Sequence, residues 1–111
     1  MTQASGAFNN IRNAASVRRA VDEFDSVGRN AFLAKYGFGR ARRYFLVIGE
    51  RLYDSKAIVG AAYGYEFPAQ GPLRASEFHG GERTIQPKLE ELGFEVRVLP
   101  ALPNREREVD T

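Results

Sequence analysis

Any fold for this chain has to bury Tyr44-Phe45-Leu46-Val47-Ile48, a continuous run of aromatic, aliphatic and β-branched residues. That composition suits a pleated backbone, and its lack of polar alternation predicts a buried strand. A buried strand needs partners on both sides. Gly49-Glu50 reads as a turn and Arg51-Leu52-Tyr53 as the returning strand of a hairpin. Phe94-Glu95-Val96-Arg97-Val98 alternates with period two, the pattern of a third, half-exposed strand.

The segments around these strands carry helical periodicity. Val17, Ala20, Val21 and Phe24 recur at i, i+3, i+4 and i+7, and Ser16 is a suitable N-cap for them. Gly28 breaks that helix, and a shorter one is predicted over Arg29 to Tyr36. Gly37 then stands at the left-handed C-cap position, with Lys35 favourably placed in the last turn. A third helix is predicted over Lys56 to Tyr63, with a small Gly60-Ala61-Ala62 face that permits close packing. A fourth spans Glu82 to Leu92, with Ile85, Leu89 and Leu92 on one stripe and Gly93 as its C-cap. Between them, Tyr65 to Ala75 contains Pro68, Gly71 and Pro72 and reads as loop.

The order α-α-β-β-α-α-β predicts an α+β fold: a small three-stranded, mainly antiparallel sheet with about four helices on one face. Residues 1–12 are expected to be a flexible segment with little to bury, 13–99 a single domain, and 100–111 a disordered, charged tail.

Charge separates along the chain. The formal net charge is only +2, yet residues 29–56 hold Arg29, Lys35, Arg40, Arg42, Arg43, Arg51 and Lys56 against Glu50 and Asp54 alone. Such asymmetry suggests a surface that faces a polyanion, although a solvated basic face would look the same. Cysteine is absent, which excludes zinc ribbons, thiol catalysis and disulfides and fits a cytoplasmic protein. No stretch approaches a membrane span, and the N-terminus lacks the features of a signal peptide. No membrane partner and no cofactor are expected.

Three constellations carry possible chemistry. Arg40, Arg42 and Arg43 stand beside Tyr44 on a Gly-rich connection, where guanidinium groups can bond phosphates or guanine edges; a solvated loop is the plainer alternative. Tyr53-Asp54-Ser55-Lys56 places Ser and Lys at a helix start, an anion site unless Asp54 or Ser55 is simply an N-cap. Phe78-His79-Gly80-Gly81-Glu82-Arg83-Thr84 sets two glycines before a helix, permitting close backbone approach to a ligand. Its spacing is not that of a nucleotide P-loop, and a tight turn accounts for it equally well. Catalysis is poorly provided for. With His79 the only histidine, neither a two-histidine metal site nor an HNH centre can be assembled, and no catalytic residue is assigned.

The stretches Tyr53-Asp-Ser-Lys-Ala-Ile-Val-Gly60 and Phe78-His-Gly-Gly-Glu-Arg-Thr84, with Tyr36-Gly-Phe-Gly-Arg40 upstream and Leu92-Gly-Phe-Glu-Val96 downstream, resemble one family. It is the N-terminal head domain of ScoMcrA-like, McrA-type HNH endonucleases, which restrict modified DNA; the resemblance covers about residues 16–98. It implies binding of double-stranded DNA with a preference for modified bases, 5-methylcytosine foremost. It does not bring the nuclease half with it, so a partner nuclease is expected rather than cleavage by this chain.

Residue by residue, the expected DNA contacts are Arg40, Arg42, Arg43, Tyr44, Tyr53, Ser55, Lys56, Arg74, His79, Gly80, Gly81, Arg83 and Thr84. Backbone N–H groups, Ser55, Lys56 and Thr84 would hold phosphates, while Arg40, Arg43 or Arg83 reach a groove. Alternatively a flipped base would sit among Tyr53, Tyr63 and Tyr65. Two readings from other classes stand beside this one, a protein-interaction or nuclease-recruiting module and a small hydrolase using Ser55 or His79.

Overall fold

A computed structural model describes residues 7–78 and 82–100. The elements run α1 (Ala14–Val27), α2 (Arg29–Tyr36), β1 (Tyr44–Ile48), β2 (Arg51–Asp54), α3 (Ser55–Glu66), α4 (Gln86–Glu91) and β3 (Glu95–Val98), with short 3-10 turns at Ala7–Asn10, Ala75–Glu77 and Glu82–Ile85. The class and the order of helices and strands are those expected: four helices with a three-stranded antiparallel sheet, β2-β1-β3. None of the described helices is long and apolar enough to cross a membrane.

β1 is central because it is apolar on both faces. Leu46 lies opposite Tyr53 on one side and Val96 on the other. These three share the inner face, where the Tyr53 ring meets Phe24 of α1 edge-on at 5.0 Å. Leu52, Glu95 and Arg97 point to the opposite face and are exposed.

α3 is the core of the molecule. From Ala57 to Tyr63 every residue is buried, as a helix with no charge between Lys56 and Glu66 must be. The small face works as expected. A Cβ on Gly60 would lie 2.8 Å from the Phe38 ring and 2.9 Å from the Leu73 carbonyl oxygen, and one on Gly64 would lie 2.7 Å from the Pro72 nitrogen. These two glycines let the 37–39 and 72–73 segments lie directly on the helix.

Several boundaries differ from expectation. α1 begins at Ala14, capped by the Asn13 side chain on the Ala15 N–H (2.9 Å). Ser16 is instead inside the helix and buried, the one proton of its hydroxyl shared between Asn13 O (2.7 Å) and Glu66 Oε1 (3.0 Å). Glu66 also accepts from the backbone N–H groups of Arg12 and Asn13, so a carboxylate from α3 satisfies the start of α1. The part of the 1–12 segment that is described is packed: Phe8 stacks on Phe78 (5.6 Å) and Ile11 is fully buried. Buried Lys88 donates to the Ile11 carbonyl and ties the segment to α4. Residues 101–111 of the expected tail lie outside the described residues.

The third helix runs on to Glu66, so the following loop starts later than Tyr65. The fourth helix starts as a 3-10 turn and turns α-helical only at Gln86. Pro87 is the cause, since it has no N–H to donate and its ring crowds the carbonyl one turn back, so it is accommodated only in a first turn. β3 starts at Glu95 because the Phe94 N–H bonds back to Leu89 O.

Candidate nucleic-acid interface

Asp54 organises the basic connection between α2 and β1. It is 2% exposed and receives Arg29 in a two-pronged pair, Nε to Oδ1 at 2.9 Å and Nη2 to Oδ2 at 2.8 Å. Its Oδ2 also accepts the Ala41 N–H at 2.8 Å. The carboxylate thus pins the middle of the 37–43 loop, while Arg29 offsets its charge. Asp54 stands at the N-cap of α3 but makes no side-chain cap bond.

The result is a cleft of about 190 Å³ lined by Phe38, Arg40, Ala41, Asp54, Lys56 and Ala75 among others. Arg40 and Lys56, taken from two of the three sequence constellations, face the same space. Arg40 is exposed, its Nη2 lightly held by Asn30 Oδ1 at 2.8 Å. Lys56 is half-buried with its Nζ 5.5 Å from the centroid of Phe78, the first residue of the third constellation. Phe78 in turn meets Phe38 edge-on at 5.8 Å. Segments 35–41 and 71–77, which border this cleft, also form a larger groove of about 600 Å³ that includes Lys35, Tyr36 and Arg74.

The other expected contacts divide sharply. Arg42 is exposed on the loop; Arg74, ahead of the Ala75–Glu77 turn, and Arg83, in the Glu82–Ile85 turn, are also exposed. Arg43 is exposed too, its Nε donating to Leu99 O (2.9 Å) and its guanidinium 5.8 Å from the centroid of half-buried Tyr44. Thr84 is half-buried in the 3-10 turn ahead of α4. His79, Gly80 and Gly81 lie outside the described residues.

Ser55 and Tyr53 do not face the cleft. Ser55 is fully buried and donates its hydroxyl to Tyr44 O (2.9 Å), sealing the hairpin to α3 rather than holding a phosphate. Tyr53 is 3% exposed and donates to Asp25 at 2.9 Å; burial first, and the neighbouring carboxylate next, push its hydroxyl above the ordinary tyrosine range, against the opposing effect of Arg51. Tyr63 is buried on Gln70 (2.6 Å) and Tyr65 donates to Glu23 (2.8 Å), so the three tyrosines do not wall one base pocket. Two residues of the basic 29–56 segment that shape the interface, Arg29 and Lys35, were not among the expected contacts. Arg29 had a signal: a cation at the first position of a helix opposes the dipole and calls for a tertiary partner.

Among the described residues no group of acidic or histidine side chains could hold a metal ion. Fold and cleft together define a small α+β module that presents cations on a pinned loop and at a helix start. The chain belongs to the ScoMcrA-like N-terminal head domain family, whose model matches residues 9–98. Among solved structures it is similar to the Type IV phosphorothioation-dependent restriction endonuclease ScoMcrA, with 28% identity and a TM-score of 0.58. That match covers 92% of this chain and 14% of the enzyme. No curated protein matches.

Proposed function

We propose that this domain binds double-stranded DNA, chiefly through phosphates, and carries no catalysis of its own. The observation that supports it best is the cleft that brings Arg40 and Lys56 together beside the Arg42-Arg43 loop, with Asp54 neutralised beneath them. Cations fixed by a scaffold rather than by partner carboxylates suit phosphate oxygens, which position a protein on the duplex without reading sequence. Membership of a family named after a restriction enzyme agrees with this reading. A hydrolase reading loses its serine, since the Ser55 hydroxyl is buried on a main-chain carbonyl. A duplex binder of this kind works in the cytoplasm beside a partner nuclease.

The finer part of the proposal is a modest preference for 5-methylcytosine, read in the major groove by an arginine of the 40–43 loop that bonds the neighbouring guanine. One methyl contact contributes about 0.8 kcal/mol, roughly fourfold, and an arginine stacked on the methyl while bonding the neighbouring guanine brings the difference to about 1–3 kcal/mol, so discrimination is nearer tenfold than a thousandfold.

Fluorescence anisotropy on one duplex, prepared unmodified, cytosine-methylated and phosphorothioated, tests both parts across a salt series. With about 4–6 phosphates neutralised, log affinity falls with log salt at a slope near −4 to −5. A flat salt response overturns DNA binding through phosphates. Equal affinity for methylated and unmethylated duplex removes the methyl preference, and tighter binding of the phosphorothioate duplex moves the reading from base to backbone.

A further inference from the structure

β3 is an edge of the sheet, and its free edge is self-complementary. Leu99 N–H donates to Arg43 O at 2.7 Å, which fixes the alternation of the β1–β3 ladder. In the observed register, Phe45 with Arg97 and Val47 with Glu95 are then the hydrogen-bonded pairs. The main-chain groups of Val96 and Val98 therefore point away from β1. Among the described residues no strand pairs with them. Val98 is 38% exposed, and Glu95 and Arg97 stand on the outer face, exposed.

We propose that β3 pairs antiparallel with β3 of a second copy of this chain, giving a two-fold dimer with one continuous sheet, β2-β1-β3-β3-β1-β2. The register follows from charge. With Val96 on the two-fold axis, Val96 faces Val96 and Val98 faces Phe94, forming about four main-chain hydrogen bonds while the Phe94 N–H keeps Leu89 O. Glu95 of each copy then stands directly opposite Arg97 of the other, in the closely spaced non-hydrogen-bonded pairs where side chains interact most strongly. Sliding by one allowed step either way sets Glu95 against Glu95 or Arg97 against Arg97. Only one register is compensated. Within a monomer the two charges meet each other only loosely, at 3.8 Å, so both are available to a partner. Charged side chains on an edge usually oppose association; here the two signs alternate and match their own reversed copy, so in this register they attract. The contact is isologous, as a two-fold dimer requires. Strands this short bury less than a standard interface, so the dimer is a weak one that forms at high protein concentration. The inference is independent of DNA binding.

Charge reversal at the edge decides it. Sedimentation velocity of the full chain across a concentration series, without DNA, is expected to show a concentration-dependent dimer. Glu95→Arg alone and Arg97→Glu alone each place like charges opposite one another and weaken the dimer by about tenfold or more. Mixing the two variants sets an edge with two arginines against an edge with two glutamates. Both cross-strand pairs then join opposite charges again, and association returns as a heterodimer. Recovery in the mixture also shows that both variants are folded. A wild-type chain that stays monomeric at millimolar concentration overturns the pairing. So does a dimer indifferent to the single reversals, or a mixture that fails to recover.

Discussion

Arg29 sits at the first position of α2, and its guanidinium is held by two bonds to Asp54, which also fixes the Ala41 N–H. Removing the carboxylate frees the loop that presents Arg40, Arg42 and Arg43. Asp54→Ala is expected to lower stability by about 2–3 kcal/mol in urea unfolding, below the usual cost of breaking a buried pair. The discount reflects the Arg29 side chain, 37% exposed and able to rehydrate once its partner is gone. Lys56→Ala and Arg40→Ala should behave differently. Neither side chain makes an ion pair among the described residues, so folding should hold while DNA affinity falls and the salt slope drops by about one for each. Melting temperature and salt-dependent binding of the same variants separate the two roles. At this scale the sequence was legible for charge and blind to direction. It showed that Arg40 and Lys56 are cations near turns, but Ser55 and Lys56 are neighbours at one helix start, and only the packing of β1 against α3 decides that the hydroxyl turns inward.

Secondary structure was legible where the pattern was local. Gly37, in the left-handed region at φ +78, ends α2 where expected, and the two-residue Gly49-Glu50 turn fixes the hairpin register. Boundaries set by distant partners were not. The start of α1 depends on Glu66, some 50 positions away, whose carboxylate meets the positive end of the helix dipole. Glu66→Ala leaves two N–H groups and the Ser16 hydroxyl without that acceptor, and is expected to cost about 1–2 kcal/mol. The N-terminal turn was missed for the same reason. Phe8 stands alone among small polar residues, and nothing near it in the chain reveals that Phe78 is its partner. Phe8→Ala should cost about 3–4 kcal/mol by thermal or urea unfolding, as deletion of a fully buried aromatic does. Because Phe78 also contacts Lys56, that variant should weaken DNA binding at a temperature where it remains folded, whereas Glu66→Ala should not.

The whole molecule is drawn together by two carboxylates of α1. Glu23 accepts from Lys35 (2.5 Å) and Tyr36 (2.6 Å) of α2 and from Tyr65 (2.8 Å) of α3, while Asp25 takes Tyr53 and Arg51 of β2. Burial alone would raise the Glu23 carboxyl, but the bonds from Lys35, Tyr36 and Tyr65 outweigh it and hold the group below the ordinary 4.5. Burial, then the bond to Glu23, push Tyr36 and Tyr65 above the ordinary 10.0. The two shifts act at opposite ends of the pH scale. Below pH 4.5 the unfolded chain takes up a proton at this glutamate that the folded one resists, so stability present at neutral pH is lost as pH falls. Above pH 10.0 the unfolded tyrosines release protons that the folded ones retain, so stability is lost as pH rises. Melting temperature should therefore be flat from about pH 5 to 9 and fall on both sides. Glu23→Gln should lower the plateau and flatten both limbs, since it removes the group that titrates in acid and the charge that opposes tyrosine ionisation. Tyr65→Phe should flatten the alkaline limb and, because it removes one of the three bonds that lower Glu23, soften the acid limb to a smaller extent. Limbs of unchanged steepness in Glu23→Gln would show that this junction does not govern how the helices hold together.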